Sequence, residues 1–146
     1  MKNKIQIFTE LPSLNEYIDI ERKNKFAASL IKKRKTAAVA AEISTQKCII
    51  DPHGLYDLKI EWFFKDKRKD PDNVYFAVKF ILDGAVNNGL IKNDGQKNIR
   101  NILNIHAGFC SNPYCVVEFI SIQKPGYISE KSQTAFFDYS TGKEIK

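Results

Sequence analysis

The chain has 146 residues, 43% of them hydrophobic, and a formal net charge of +6. That length suits one globular domain with its own core, and the excess of Lys and Arg favours an acidic partner, either nucleic acid or an anionic membrane surface. No apolar run approaches the roughly 20 residues needed to span a bilayer, the start Met1-Lys2-Asn3-Lys4 lacks the features of a secretion signal, and the odd set Cys48, Cys110 and Cys115 argues for reduced thiols, so a cytoplasmic protein is expected.

In chain order, Lys4 to Phe8 alternates polar and apolar residues and predicts a short strand, ended by Leu11-Pro12. Ser13-Leu14-Asn15-Glu16 has the form of a capping box, which should start a helix. Helix-favouring sequence continues to about Ile43, with a polar stretch from Asp19 to Lys25 where a break would fall, so one long helix or two in tandem are expected. This region carries the densest positive run, Lys32-Lys33-Arg34-Lys35. It reads either as a solvated face or as a phosphate-contacting surface that sets affinity rather than sequence preference.

Lys47 to Ile50 is a short strand candidate, followed by the turn Asp51-Pro52-His53-Gly54. From Leu55 to Phe64 the period is two, with Tyr56, Leu58, Ile60, Trp62 and Phe64 on one face and Asp57, Lys59 and Glu61 on the other. A hairpin between these segments is expected. From Asn73 to about Asn87 the pattern turns helical, with Val74, Ala77, Val78, Ile81 and Ala85 on a core-facing stripe. Asp72, Phe76, Lys79 and Asp83 project from the other side, and Asn87-Asn88-Gly89 is a helix stop.

Gln96 to Ile105 predicts a short helix or irregular connection, and Cys115 to Ile122 a strand. His106, Cys110 and Cys115 lack the tight pairs of a structural zinc site, so Cys115 reads as a small hydrophobe in a buried strand. His53 reads as turn filler rather than a general base. Residues 1–123 form the expected domain, with 124–146 a polar tail that docks on the domain or on a second subunit.

The chemistry concentrates at Lys67-Arg68-Lys69-Asp70-Pro71-Asp72-Asn73 and on to Asp94. Pro71 restricts the backbone between two carboxylates and biases Asp70 to an extended conformation. Hard cations such as Mg²⁺ take oxygen ligands and leave positions for water and phosphate, and the turn Asn93-Asp94-Gly95 can bring a third carboxylate back. The plain alternative is that each acid serves only a helix start or a turn. A calcium-loop reading fails, because with Asp70 as position one Tyr75 stands where Gly is needed.

On Asp70-Pro71-Asp72-Asn73, on Lys79 with Asp83 in Phe80-Ile81-Leu82-Asp83-Gly84, on Gly89-Leu90-Ile91-Lys92-Asn93-Asp94, and on the earlier Leu11-Pro12-Ser13-Leu14-Asn15, the chain resembles the RusA-type endonucleases that resolve four-way (Holliday) DNA junctions, mostly of phage or prophage origin. The likeness runs from about Ile5 to Ile122. One departure is that many members place the helix lysine four residues after the second aspartate, where this chain has Phe76, and Lys79 comes seven after. Three extra residues are nearly one turn, so Lys79 stays on the Asp72 face.

The resemblance implies a small α/β (α+β) subunit with a mixed sheet flanked by helices, a homodimer, and hydrolysis of phosphodiesters in branched DNA during recombination and repair. Asp70, Asp72 and Asp94, with Asp83, would hold Mg²⁺, for which Mn²⁺ can substitute, and Lys79 would place positive charge at the transition state. Lys67, Arg68, Lys69, Asn73, Asn15, Lys32 and Lys33 are the expected DNA contacts. The reading from another class is a non-catalytic basic nucleic-acid-binding module of phage origin, with aromatics that stack on single strands.

Overall fold

The computed structural model describes residues 2–122, 136–138 and 143–145. It is a small mixed α+β fold built on a four-stranded sheet. The elements are β1 (Lys4–Ile7), α1 (Leu14–Lys23), α2 (Lys25–Ser44), β2 (Tyr56–Phe64), α3 (Pro71–Tyr75), α4 (Val78–Asn88), β3 (Ile99–Phe109) and β4 (Tyr114–Ser121). A separate antiparallel ladder joins β5 (Phe136–Asp138) to β6 (Lys143–Ile145). The proposed tail otherwise lies outside the described residues.

The main sheet runs β1-β4-β2-β3. β4 is antiparallel to both β1 and β2, whereas β3 is parallel to β2. A parallel pair needs a crossover, and α3 and α4 supply it. The period-two pattern of β2 is realised residue by residue: Tyr56, Leu58, Ile60, Trp62 and Phe64 are buried, and the residues between them are half-exposed. The buried row joins Ile5 and Ile7 of β1, Cys115, Val117 and Phe119 of β4, and Val39, Ile43, Ile81 and Ala85 of the helices in one core.

The helical region divides at Asn24, which ends α1 and caps α2, its side-chain oxygen accepting from the N–H groups of Phe26 and Ala27. Two helices in tandem is therefore the outcome. At α1 the Ser13 hydroxyl accepts from the Glu16 N–H at 3.4 Å. α2 and α4 approach closely at Gly84, where an added Cβ would lie 2.5 Å from Val39 Cγ1.

Three expectations are corrected. Lys47 to Ile50 is not a strand: Ile49 is exposed, and both edges of β2 are already occupied by β4 and β3. Gln96 to Ile105 is neither helical nor irregular for most of its length, because Ile99 begins the long strand β3. Its Ile99, Ile102 and Leu103 follow helical spacing, and pairing with β2 overrides that local pattern. The single helix expected from Asn73 to Asn87 is split into α3 and α4. The link is tight: Ala77, Lys79 and Phe80 donate to Val74, Phe76 and Ala77, the three-residue bonding of a 3₁₀ turn.

Among the described residues no helix is long and apolar enough to cross a membrane.

Candidate functional site

The two ends of the motif are positioned by different elements. β2 runs out at Phe64, and the chain passes through Lys65 to Lys69 into α3. Asp70 is the residue before the helix, with φ −67° and ψ 141°, the extended conformation that a following proline imposes. Its side chain makes no capping hydrogen bond. The carboxylate is therefore not consumed by helix-start chemistry. Asp72 lies in the first turn, and both acids are exposed.

Asn73 reaches back to the start of α1. Its Oδ1 accepts from the Asn15 backbone N–H at 2.9 Å, and Lys69 pairs with Glu16. Leu11 to Asn15 and Asp70 to Asn73, far apart in the chain, thus meet at the starts of α1 and α3. The Lys69 ammonium holds the Glu16 carboxyl below its ordinary range.

Lys79 and Asp94 are both neighbours of Asp83. Lys79 and Asp83 stand one turn apart on α4. The turn at Asn93, in which the Gly95 N–H donates to Asn93 Oδ1 at 2.8 Å, carries Asp94 back to Asp83. Burial pushes the Asp83 carboxyl above its ordinary range; Lys79 opposes that, the neighbouring Asp94 adds to it, and Lys32 of α2 opposes it further. Asp83 also lines a groove of about 320 Å³ with Ser29, Lys32, Lys33, Thr36 and Asn87. Lys32 and Lys33 of the dense basic run of α2 therefore border Asp83.

The four aspartates do not gather into one set within the chain. Among the described residues no three His, Cys, Asp or Glu side chains group as ligands of a single metal ion. Asp94 meets Asp83, and Asp70 with Asp72 stand apart at the start of α3. The donor chemistry of the Asp83 and Asp94 pair still fits a hard divalent cation, since carboxylate oxygens are what Mg²⁺ takes and one or two suffice when water completes its sphere.

Of the expected phosphate contacts, Lys67 is exposed, Arg68 pairs with Asp66 at 3.5 Å, and Lys69 is engaged by Glu16. Lys32 is half-buried beside Asp83 and Lys33 is exposed. The Asn73 side chain accepts from the Asn15 backbone N–H, which gives Asn73 a structural task and does not engage the Asn15 side chain.

A second feature was not anticipated. A cavity of about 590 Å³ opens at the end of the sheet where β1 and β2 finish, and Phe8, Phe63, Tyr114, Lys65, Arg68 and Lys69 are among the residues that line it. The signal available in the sequence was Phe63, an aromatic at a position of β2 that continues the polar face of Asp57, Lys59 and Glu61.

Comparison with protein-family models, with curated proteins and with solved structures gives no match for this chain.

Proposed function

We propose that the protein is a RusA-type, Mg²⁺-dependent endonuclease that resolves four-way DNA junctions by paired phosphodiester hydrolysis, acting as a homodimer in the cytoplasm. The observation that carries this reading is the setting of Asp83, which has Lys79, Asp94 and Lys32 as charged neighbours and lines one groove with Lys32 and Lys33. A carboxylate pair resists ionisation when desolvated and set against a like charge, and a divalent cation reverses that preference. Flanking lysines suit a polyanionic substrate. The meeting of the Asn15 and Asn73 segments lends support, because it joins two motifs that carry the family resemblance.

When bound, the metal supplies Lewis-acid activation of the phosphoryl group and of the attacking water. The chain's own residues do the rest. Asp83 and Asp94 would provide oxygen ligands to a metal ion, and Asp70 and Asp72 would do so as a separate pair at the α3 start. Lys79 provides a fixed positive charge for the oxygens of the phosphoryl group in transit. Lys32, Lys33 and Lys67 neutralise flanking phosphates and orient the strand. Two symmetrical cuts call for two sites, which a two-fold homodimer provides.

The test is a synthetic four-way junction assay with and without Mg²⁺, run beside linear duplex and single strand. Asp70→Asn and Asp72→Asn are expected to abolish cutting while junction binding in Ca²⁺ is kept or strengthened, because negative charge leaves a phosphate site. Asp94→Asn is expected to do the same. If all three variants still cut, the assignment of these acids is wrong. The row of rings lining the sheet-end cavity favours a second reading, a basic nucleic-acid-binding module without catalysis. Junction binding with no cleavage in Mg²⁺ or Mn²⁺ would select it.

A further inference from the structure

Phe8, Tyr114 and Phe63 form a continuous stack. Tyr114 lies between the other two, 4.8 Å from Phe8 with planes 21° apart and 4.5 Å from Phe63 with planes 10° apart. The stack follows from register. Phe63 of β2 faces Tyr114 of β4, and Ile7 of β1 faces Cys115, so Phe8 continues opposite Tyr114. The ring spacing is that of neighbouring strands in a sheet, about 4.8 Å. On the far side Phe63 faces Gly108 of β3, which brings no side chain to the row.

Phe63 and Tyr114 occupy half-exposed alternates of strands whose other face forms the core, and Phe8, just past β1, ends the row with 45% of its surface exposed. An exposed aromatic on a well-packed stack is a rigid apolar surface. The cavity that it lines also contains Lys65, Arg68 and Lys69. Lys69 is engaged by Glu16 and Arg68 is shared with Asp66, while Glu10 adds a carboxylate to the lining. Lys65 is exposed, and no ion pair holds it among the described residues.

We infer that this cavity binds an unpaired nucleotide of a DNA strand, its base stacked on Phe8 at the end of the Phe8, Tyr114 and Phe63 row and its phosphate held by Lys65. The chemistry is that of a stacking platform, in which every base offers a π-face and the cation tracks the backbone. A peptide would gain from the apolar rings alone, whereas Lys65 adds an attraction for an anionic ligand. The inference deepens the proposed nuclease reading and rests on its nucleic-acid half only: a branch point offers unstacked bases, and Lys69 in this cavity immediately precedes Asp70.

The test uses the full chain and a single-stranded oligothymidylate with one central 2-aminopurine, in low salt without divalent ions. Two reporters are read together: 2-aminopurine fluorescence, and the emission of Trp62, the single tryptophan, which also lines the cavity. Binding should quench 2-aminopurine and perturb Trp62. Phe8→Leu keeps an apolar side chain and removes the π-face; it should weaken binding about 5- to 150-fold, the span for loss of one stacked base, and restore 2-aminopurine emission. Phe8→Trp should retain binding, which separates stacking from any effect on folding. Lys65→Ala should lower the salt dependence of affinity by the equivalent of roughly one neutralised phosphate.

Unchanged affinity and quenching in Phe8→Leu would overturn the inference, as would failure of the native chain to bind the oligonucleotide while it still cuts junctions. Oligonucleotide binding that depends on Phe8 in a protein that cuts nothing would instead sustain the cavity and remove the nuclease.

Discussion

Asn73 Oδ1 accepts the backbone N–H of Asn15 at 2.9 Å, so the first turn of α1 is capped in part by a residue of α3. The first N–H groups of any helix lack intrahelical partners. Here Ser13 satisfies Glu16 from the N-cap position, and Asn73 satisfies Asn15 from across the fold. The bond ties the segment before α1 to the Asp70-Pro71-Asp72 turn.

Asn73→Ala removes the acceptor and leaves a helix-start donor to solvent, at a cost of about 1 kcal/mol. Asn73→Asp keeps an oxygen there and adds a charge suited to a helix N-terminus, so it should lose less. Urea unfolding checks this through the midpoint at constant slope. Equal losses in both variants would mean that the bond is not what holds the two starts together.

Gly84 faces Val39 with no room for a methyl group, since an added Cβ would lie 2.5 Å from Val39 Cγ1 and 2.7 Å from its Cβ. Gly84→Ala should therefore destabilise by about 1–3 kcal/mol through overpacking. Combining it with Val39→Ala should recover part of that loss. A double-mutant cycle with coupling below about 0.5 kcal/mol would count against the close approach of α2 and α4.

The Glu16 carboxyl titrates below its ordinary value of 4.5, chiefly because Lys69 donates a hydrogen bond to it. A lowered folded pKa gives stability that is present above the unfolded value and is lost as pH falls through the folded one. Glu16→Gln should thus be less stable than the native chain at pH 7, by about 0.2–1 kcal/mol for a half-exposed pair. The gap should close below pH 4.5. A difference independent of pH would assign the loss to packing.

Lys32→Ala with Lys33→Ala tests the basic border of the Asp83 groove. Affinity should fall for all DNA sequences alike, and the slope of log affinity against log salt should flatten by up to about 0.9 for each phosphate that is no longer neutralised. An unchanged slope would return this run to a solvated helix face.

Burial pushes the Cys115 thiol up to about 12, and the residue is 2% exposed. Thiol reagents at pH 8 should modify Cys48 and Cys110, which are half-buried, well before Cys115. Cys115 should react only in denaturant. Rapid labelling of all three in the native protein would contradict the strand packing.

Legibility followed the range of the forces involved. The buried face of β2, the Ser13 cap, the break near Asn24 and the stop at Gly89, which takes φ 86°, were readable because each depends on residues within a few positions. The return of Asp94 to Asp83 was foreshadowed by the turn chemistry at Asn93, but the expected set held Asp70 and Asp72 as well. Which carboxylate Asp94 meets depends on where α4 lies, and that depends on Gly84 seating against Val39.

By itself the sequence determined the periodicities, the caps and the supply of charge, because backbone dihedrals and side-chain alternation are local properties. Only the tertiary structure decided that β3 is a strand, that Lys47 to Ile50 is not one, and that Phe8, Tyr114 and Phe63 stack. A strand with two edges can pair with only two neighbours, and the competition for the edges of β2 is settled by long-range burial. No window of adjacent residues contains it.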